Sequence, residues 1–529
     1  MPERTAVHPG IVAARTPDRA AVIAGDADRL TFAELDRISD ALAGAWRASG
    51  LRTGDVVALL LPNTSRFFCV AWAAQRSGLY YVPISTYATP DEIAYVLDDA
   101  APVVCVVGAA YADRVRTAFT LQRGPKPRVY VDGPAAAASD DFESLDACID
   151  SAERVAYDAV EGGDMLYTSG TTGRPKGVKP PLSLLPLGND VRRIERARAL
   201  YGFDDASTFL IPAPLYHAAP LRFGMTALRL GTTLVVLPKF SADSALDALA
   251  RNHVTHSQWV PTMFARLLAL PDDVRSAFAC PTHRLAMHSG GPCSVEIKRR
   301  MIDWWGPILY EYYSGSESVG FTHVDSEQWL AHPGTVGKPY GCTVHILDDD
   351  GRELGPRAIG GVYFESAHKP AYHNDARKSA EAMNDRGWAT MGDIGYVDED
   401  GYLYLTDRRA FTVVSGGVNV YPREVEQALE SHPAVLEAAA FGVPDDDLGE
   451  RVHAVVAVTP QSLDDRDLVA DLLRHARERL SANKLPKAID VCAELPHLAS
   501  GKLDKRGLRA SIVGRTVARD AEKEASHAP

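Results

Sequence analysis

The chain has little that would mark a secreted, membrane-spanning or nucleic-acid-binding protein. Its seven cysteines (Cys69, Cys105, Cys148, Cys280, Cys293, Cys342 and Cys492) are scattered, odd in number, and without a C-x-x-C pair or paired metal-ligand spacing. That pattern excludes a disulfide framework and leaves reduced, mostly buried thiols as the expectation. The longest apolar runs, such as Val56 to Leu61 and Val103 to Val107, fall far short of the roughly 20 residues that span a bilayer. They read as buried strands. Met1-Pro2-Glu3-Arg4 has no apolar core and does not read as a secretory signal, so a soluble, cytoplasmic protein is expected. Excess positive charge is missing too. With a formal net charge of -13, no general field draws the chain to nucleic acid or an anionic membrane. An anionic substrate must then be held by a local constellation of donors. His253 and His256 lie close together, but H-V-T-H lacks the glutamate of a zinc helix, and no structural metal is assigned. No repeat of solenoid period is visible.

What is present is ordinary globular material in quantity. Hydrophobic residues make up 46% and charged residues 24% of 529, which is too long for one ordinary domain. Thr31-Phe32-Ala33-Glu34 is a capping box, and Leu35, Ile38, Leu42 and Trp46 follow at helical spacing, with Gly50 as a stop. Thr89-Pro90-Asp91-Glu92 opens a second helix in the same way, with Ile93, Val96 and Leu97 on its apolar face. Helices alternating with buried apolar strands predict an α/β fold. A second unit begins near Asp407-Arg408. Tyr421-Pro422-Arg423-Glu424 opens a helix through Leu429, strands are expected over Ala438 to Val443 and Val452 to Val458, and Asp465 to Leu480 is helical. The expected architecture is a large N-terminal α/β domain, residues 1–407, and a smaller C-terminal α+β domain, residues 408–529. Ser511 to Pro529 is polar, shows little apolar periodicity, and reads as a solvated tail.

The segment richest in chemistry runs from Leu166 through Thr168, Ser169, Gly170, Thr171, Thr172, Gly173 and Lys176 to Gly177. Hydroxyls, unobstructed backbone N–H groups and a cation suit a polyphosphate. The spacing is not that of a Walker loop, and no Ser or Thr follows the lysine. A flexible linker has the same composition, but this run sits directly behind the strand-like Asp164-Met165-Leu166-Tyr167.

This run resembles the signature loop of the adenylate-forming (AMP-binding) superfamily, and further family-like motifs follow in order along almost the whole chain. They are Pro214-Leu215-Tyr216-His217, His288-Ser289-Gly290-Gly291-Pro292, Tyr313-Ser314-Gly315-Ser316-Glu317, Trp388 to Asp393, Asp407-Arg408 with Ser415-Gly416-Gly417, and Ser500-Gly501-Lys502. The resemblance is nearest to bacterial fatty-acid-type acyl-CoA synthetases. It implies that Thr168 to Lys176 hold the β- and γ-phosphates of ATP, and that Glu317 with Thr168 binds Mg²⁺, for which hard oxygen ligands are right. It implies further that Asp393 and Arg408 take the ribose, that Tyr313, Gly290, Gly291 and Pro292 frame the adenine, and that Ser316 lies beside them. His217 would gate the acyl pocket, Lys502 would bridge acid and α-phosphate as a mobile point charge, and Ser415-Gly416-Gly417 would face the CoA tunnel. The C-terminal domain would then rotate about Asp407 to Ala410 between half-reactions. Taken one at a time, these residues have plainer meanings: Glu317 and Asp393 as surface carboxylates, Gly416-Gly417 as a hairpin turn, Lys502 as a solvated side chain. Ser314 and Ser316 depart from the family's usual Gly and Thr, and Met391 from a Thr.

Ala218 follows His217 where amino-acid-activating relatives carry an Asp, which disfavours a free α-amino acid as the substrate. Trp259, Val260, Met225 and the Gly290 turn are candidate walls of a mostly apolar pocket, suited to an aliphatic or aromatic acid. The resemblance implies an ATP-dependent acid–CoA ligase with a small carboxylic acid, ATP and coenzyme A as partners. The nearest alternative is an amide ligase that gives the same adenylate to an amine; a non-catalytic nucleotide-binding regulator is a third. A homodimer is left open.

Overall fold

The computed structural model describes residues 7–134, 141–152, 157–168, 175–408, 411–415, 418–445, 448–497 and 503–526. Two parallel-cored sheets dominate the first 340 residues. In one, Val104–Gly108, Val56–Leu60 and Tyr80–Pro83 lie side by side, with Gly163–Asp164 at the edge. In the other, Leu309–Tyr313, Leu285–His288, His256–Trp259, Thr208–Ile211 and Thr233–Val236 pair in parallel, in that order, and antiparallel strands close the edges. Parallel strands covered on both faces should read as continuous apolar runs, and Val56–Leu60 and Val104–Gly108 are buried throughout.

The helices between them form as the local sequence dictates. Helix Phe32–Ala48 starts at a complete capping box, the Glu34 N–H donating to Thr31 Oγ1 at 3.2 Å and the Thr31 N–H to Glu34 Oε2 at 2.8 Å. It buries Leu35, Ile38, Leu42 and Trp46, and packs with Ser65–Arg76 in a core that takes side chains from both sheets, among them Val22, Val57 and Phe209. The second box, Thr89 with Glu92 and Pro90 at the first turn, opens Pro90–Ala100 as expected. Rigid strand ends on one side and a well-capped helical layer on the other thus fix the loops that carry the site.

After these come an antiparallel sheet of Thr343–Leu347, Gly360–Glu365, Ala389–Val397 and Leu403–Arg408, and then the C-terminal unit. There the long hairpin Val435–Asp445 and Gly449–Val458 is covered by Pro422–Glu430 and Leu468–Arg477. The stretch from Ser511 expected as a solvated tail is helical, with Ile512 buried and Ser511 exposed. Lys505–Ser526 is helical, and its first turns are anchored: Leu508 and Ile512 pack on Phe441, Val443 and Val455, while Lys505 Nζ lies 2.6 Å from the buried Glu426. The cysteines are all free among the described residues, but Cys69 and Cys105 alone are fully buried, fewer than expected. Among the described residues no helix is long and apolar enough to cross a membrane, and no cluster of side chains could hold a structural metal. His256 is instead a core residue, its ring nitrogens bonded to Thr255 Oγ1 and the Tyr201 carbonyl, both at 2.8 Å.

Candidate active site

The carboxyl ends of the parallel strands, where loops leave the sheet, open onto a cleft of about 1310 Å³. Its walls bring together Thr168, Lys176, His217, Ala218, Trp259, Val260, Gly290, Tyr313, Ser316, Glu317 and Asp393, residues drawn from seven separate stretches of sequence.

Thr168 and Lys176 face each other across the antiparallel pair Leu166–Thr168 and Lys176–Val178. Ser169, Gly170, Thr171, Thr172 and Gly173 lie outside the described residues. The Lys176 ammonium is lowered to about 8, by burial first and then by the neighbouring Lys378. Asp375 and Glu381 act in the opposite direction on the same ammonium but do not restore it. Lys378 stands on Ala376–Glu381, which sequence reading had not singled out.

Strand Leu309–Tyr313 delivers the next group. The Tyr313 hydroxyl donates to Asp393 Oδ2, tying this strand end to Ala389–Val397. Ser314 does not obstruct the cleft, because its hydroxyl turns back to the Gly320 carbonyl at 2.7 Å. At Gly315 a Cβ would sit 2.5 Å from the Met391 sulfur and 2.6 Å from Glu317 Oε2, so both of those flexible side chains would have to shift. Glu317 Oε1 accepts from the Tyr372 hydroxyl at 2.8 Å, a partner that sequence reading missed. Gly290 has φ +90° and turns the chain sharply past Val260; Gly291 and Pro292 continue the turn on the exposed side, away from the cleft wall.

His217 caps helix Ala218–Arg229, and one face of that helix runs down the cleft through Arg222, Met225, Thr226 and Arg229. This face changes the picture of the acid pocket. Met225, Trp259 and Val260 line the cleft, with Trp259 only 1% exposed, and Phe223, Val319 and Phe321 extend the apolar lining, but charged side chains interrupt it. Arg222 bonds Asp164 at 2.6 Å and the Ser316 carbonyl at 3.0 Å; Arg229 bonds Glu161 at 2.6 Å. Burial alone would raise the Asp164 carboxyl, but Arg222 and Arg193 outweigh it and hold it at about 2. Burial opposes the Glu161 charge as well, and Arg229, the Gly188 N–H and Gln75 together overcome it. The one signal in the sequence was the spacing of Arg222 and Arg229 on a helix that also had to be buried.

Some expected members stand apart. Arg408 ends strand Leu403–Arg408 in register with Asp393, which brings its backbone beside the cleft. Ser415 is buried in the C-terminal sheet, opposite Val418 and Gly449, and does not line the cleft. Gly416, Gly417, Ala410 and Lys502 lie outside the described residues.

Residues 11–368 match the AMP-binding enzyme family, and residues 424–502 match the AMP-binding enzyme C-terminal domain. The chain is 30% identical over 498 residues to the 2-succinylbenzoate–CoA ligase of Bacillus licheniformis, covering 93% of this chain and 97% of that one. It is also 30% identical over 498 residues to the long-chain-fatty-acid–CoA ligase FadD13 of Mycobacterium tuberculosis, covering 91% and 93%. The structure of the amide bond synthetase McbA from Marinactinospora thermotolerans superposes with a TM-score of 0.81 at 27% identity, over 93% of this chain and 96% of that one. Matches of this extent, over a chain whose cleft gathers the hydroxyl, cationic and carboxylate groups set out above, leave one assignment: the protein belongs to the family of AMP-binding enzymes.

Proposed function

We propose that the protein is an acid–CoA ligase that works in two steps. A carboxylate oxygen attacks the α-phosphorus of ATP, expelling pyrophosphate and leaving acyl-AMP. The thiol of coenzyme A, losing its proton, then attacks the acyl carbon and expels AMP. The observation that carries this reading is the single cleft shared by Thr168, Lys176, His217, Glu317 and Asp393. Acid and ATP are both anionic, so the chemistry is one of positioning and of meeting charge.

In this reading Thr168, the loop after it, and Lys176 with Lys378 hold the β- and γ-phosphates. Asp393 takes the ribose hydroxyls with Arg408 nearby, and Tyr313 with Gly290 frames the base, Gly291 and Pro292 shaping the turn behind it. Ser316 lies at the junction of nucleotide and acid. Glu317, whose Oε2 is not taken up by Tyr372, and the Thr168 hydroxyl are hard oxygen donors that fit Mg²⁺, which would neutralise phosphate charge there. His217 and Ala218 flank the acyl carbon, with Trp259 and Val260 behind. Residues 408–529 form the mobile domain that presents Lys502 for adenylation and Ser415-Gly416-Gly417 for transfer.

The acceptor is the point at which a second reading has support, since the amide bond synthetase shares the fold over nearly the whole chain. The test supplies adenylated acid with CoA, pantetheine or mixed amines and compares initial rates. Efficient thioester formation with CoA and much slower reaction with pantetheine is expected, because charge-assisted contacts to the CoA phosphates are among the stronger hydrogen bonds. Fast amide formation with only trace thioester would refute the CoA reading.

A further inference from the structure

The charged wall of the cleft contains one guanidinium that the fold leaves without an acid. Arg222 and Arg229 are answered by Asp164 and Glu161 at 2.6 Å each, and Arg193 reaches Asp164 at 3.3 Å. Arg196, one turn on from Arg193 along helix Arg192–Tyr201, lines the same cleft and forms no ion pair among the described residues. Its contact is the face of Phe321, 4.2 Å from the ring centroid. Burial there pushes the guanidinium below its ordinary value, and the nearby Arg193 and Arg222 act in the same direction.

Neighbouring contacts locate Arg196 in the acid arm rather than the nucleotide arm. Phe321 stacks on Tyr312 at 5.6 Å, and the Tyr312 hydroxyl accepts from Gln258 at 2.7 Å beside Ser289. Gln258 precedes Trp259 and Val260, and Ser289 precedes Gly290, so the guanidinium joins the wall already assigned to the acid. An aliphatic tail would lie against a desolvated cation and gain nothing from it. An anion would complete the pair, and a guanidinium is the side chain that holds a carboxylate in a two-point fork.

We propose that the acid this enzyme activates carries a second anionic group, seated on Arg196. The inference rests on the acid-activating reading and names the substrate class of that site. It does not depend on the acceptor, because acid selection precedes transfer.

The test uses matched acid pairs: monocarboxylic acids and their ω-carboxylated counterparts on the same aliphatic or aromatic spacer. Pyrophosphate exchange gives kcat/KM for each acid, and calorimetry gives binding with or without turnover. The native enzyme should favour the dianion, and Arg196→Met should collapse that ratio by about tenfold to a hundredfold, the worth of a hydrogen bond to a charged group. Arg196→Lys should retain part of the preference, which also guards against a folding defect in the first variant. A purely structural cation under Phe321 would lower both acids of a pair together, and that result would overturn the proposal. So would equal or better binding of the monoanion by the native enzyme, or an Arg196→Met enzyme that keeps its acid preference and loses affinity for CoA instead. Dianion preference in binding without any exchange would sink the acid-activating reading while leaving the subsite in place.

Discussion

Removing Arg222 tests whether the charged wall of the cleft carries structural weight as well as shape. Arg222 donates twice to Asp164 Oδ2, at 2.6 and 2.9 Å, and also to the Ser316 carbonyl and the Ser318 hydroxyl at 3.0 and 3.1 Å. The Asp164 side chain is 3% exposed and cannot turn to water. A carboxyl held at about 2 against an ordinary 3.8 has about 2.5 kcal/mol of preference for its charged form. Because the folded value is depressed, that stability is fully present above about pH 4 and is lost as the pH falls through about 2. In Arg222→Leu, Arg193 at 3.3 Å is the ion partner that remains, while burial still disfavours the carboxylate. Breaking a buried pair from one side costs about 3–5 kcal/mol, and the surviving Arg193 contact puts the expected loss at about 3 kcal/mol at pH 7.5. The penalty should shrink at pH 5, since the variant's carboxyl is now raised and accepts a proton there. Urea unfolding of native, Arg222→Leu, Asp164→Asn and double-variant proteins at both pH values measures this, and the double variant should recover at least half the loss. A loss under about 0.5 kcal/mol, as for an ordinary surface pair, would refute the reasoning. So would a loss that is independent of pH and unrelieved in the double variant.

Three further outcomes follow from the site. Lys502→Ala should lower acid-dependent pyrophosphate release by about a hundredfold to a thousandfold, yet still complete thioester formation from supplied acyl-AMP; adenylation at the native rate would remove Lys502 from the chemistry. Gly416→Leu should keep pyrophosphate release and lose acyl transfer, as a branched side chain would stand where backbone meets the pantetheine arm; parallel loss of both activities would count against that placement. Asp393→Asn should raise KM for ATP by roughly tenfold or more, since a buried acceptor bonded by Tyr313 loses its charge; an unchanged KM would sever Asp393 from the nucleotide.

The parts of the fold that could be read from sequence are those whose signals are local. The two capping boxes name their helices because both partners lie three residues apart, and Val56–Leu60 names a strand because a parallel sheet buries every position. The C-terminal helix escaped notice because Leu508 and Ile512 are one turn apart, too short a stretch to show a period, and because Glu426, which anchors Lys505, comes from a distant helix. The site divides in the same way. Tyr313-Ser314-Gly315-Ser316-Glu317 is a contiguous run whose geometry depends on its own residues, down to the Ser314 hydroxyl that closes on Gly320. Tyr372 and Lys378 join the site from the connection after Gly360–Glu365 and from helix Ala376–Glu381, and nothing within their own segments announces it.

The arginines are the deeper case, because composition argues against them. A guanidinium on a helix is normally solvated, and five of them along one cleft are costly unless carboxylates are buried with them. Those carboxylates are 58 and 68 residues away from Arg222 and Arg229, on the edge strand and the segment just before it, so only the folded chain brings the charges together. The same logic sets the two ends of the cleft apart. The Lys176 ammonium is lowered by burial and by the neighbouring Lys378 where phosphates would sit, and Arg196 lies on an aromatic ring with no ion pair among the described residues. In a chain with a formal net charge of -13, such local groupings of cations run against the overall charge. Each such grouping is held at a cost in desolvation that a bound anion offsets, and the ligand charge missing from each end is what that end is shaped to receive.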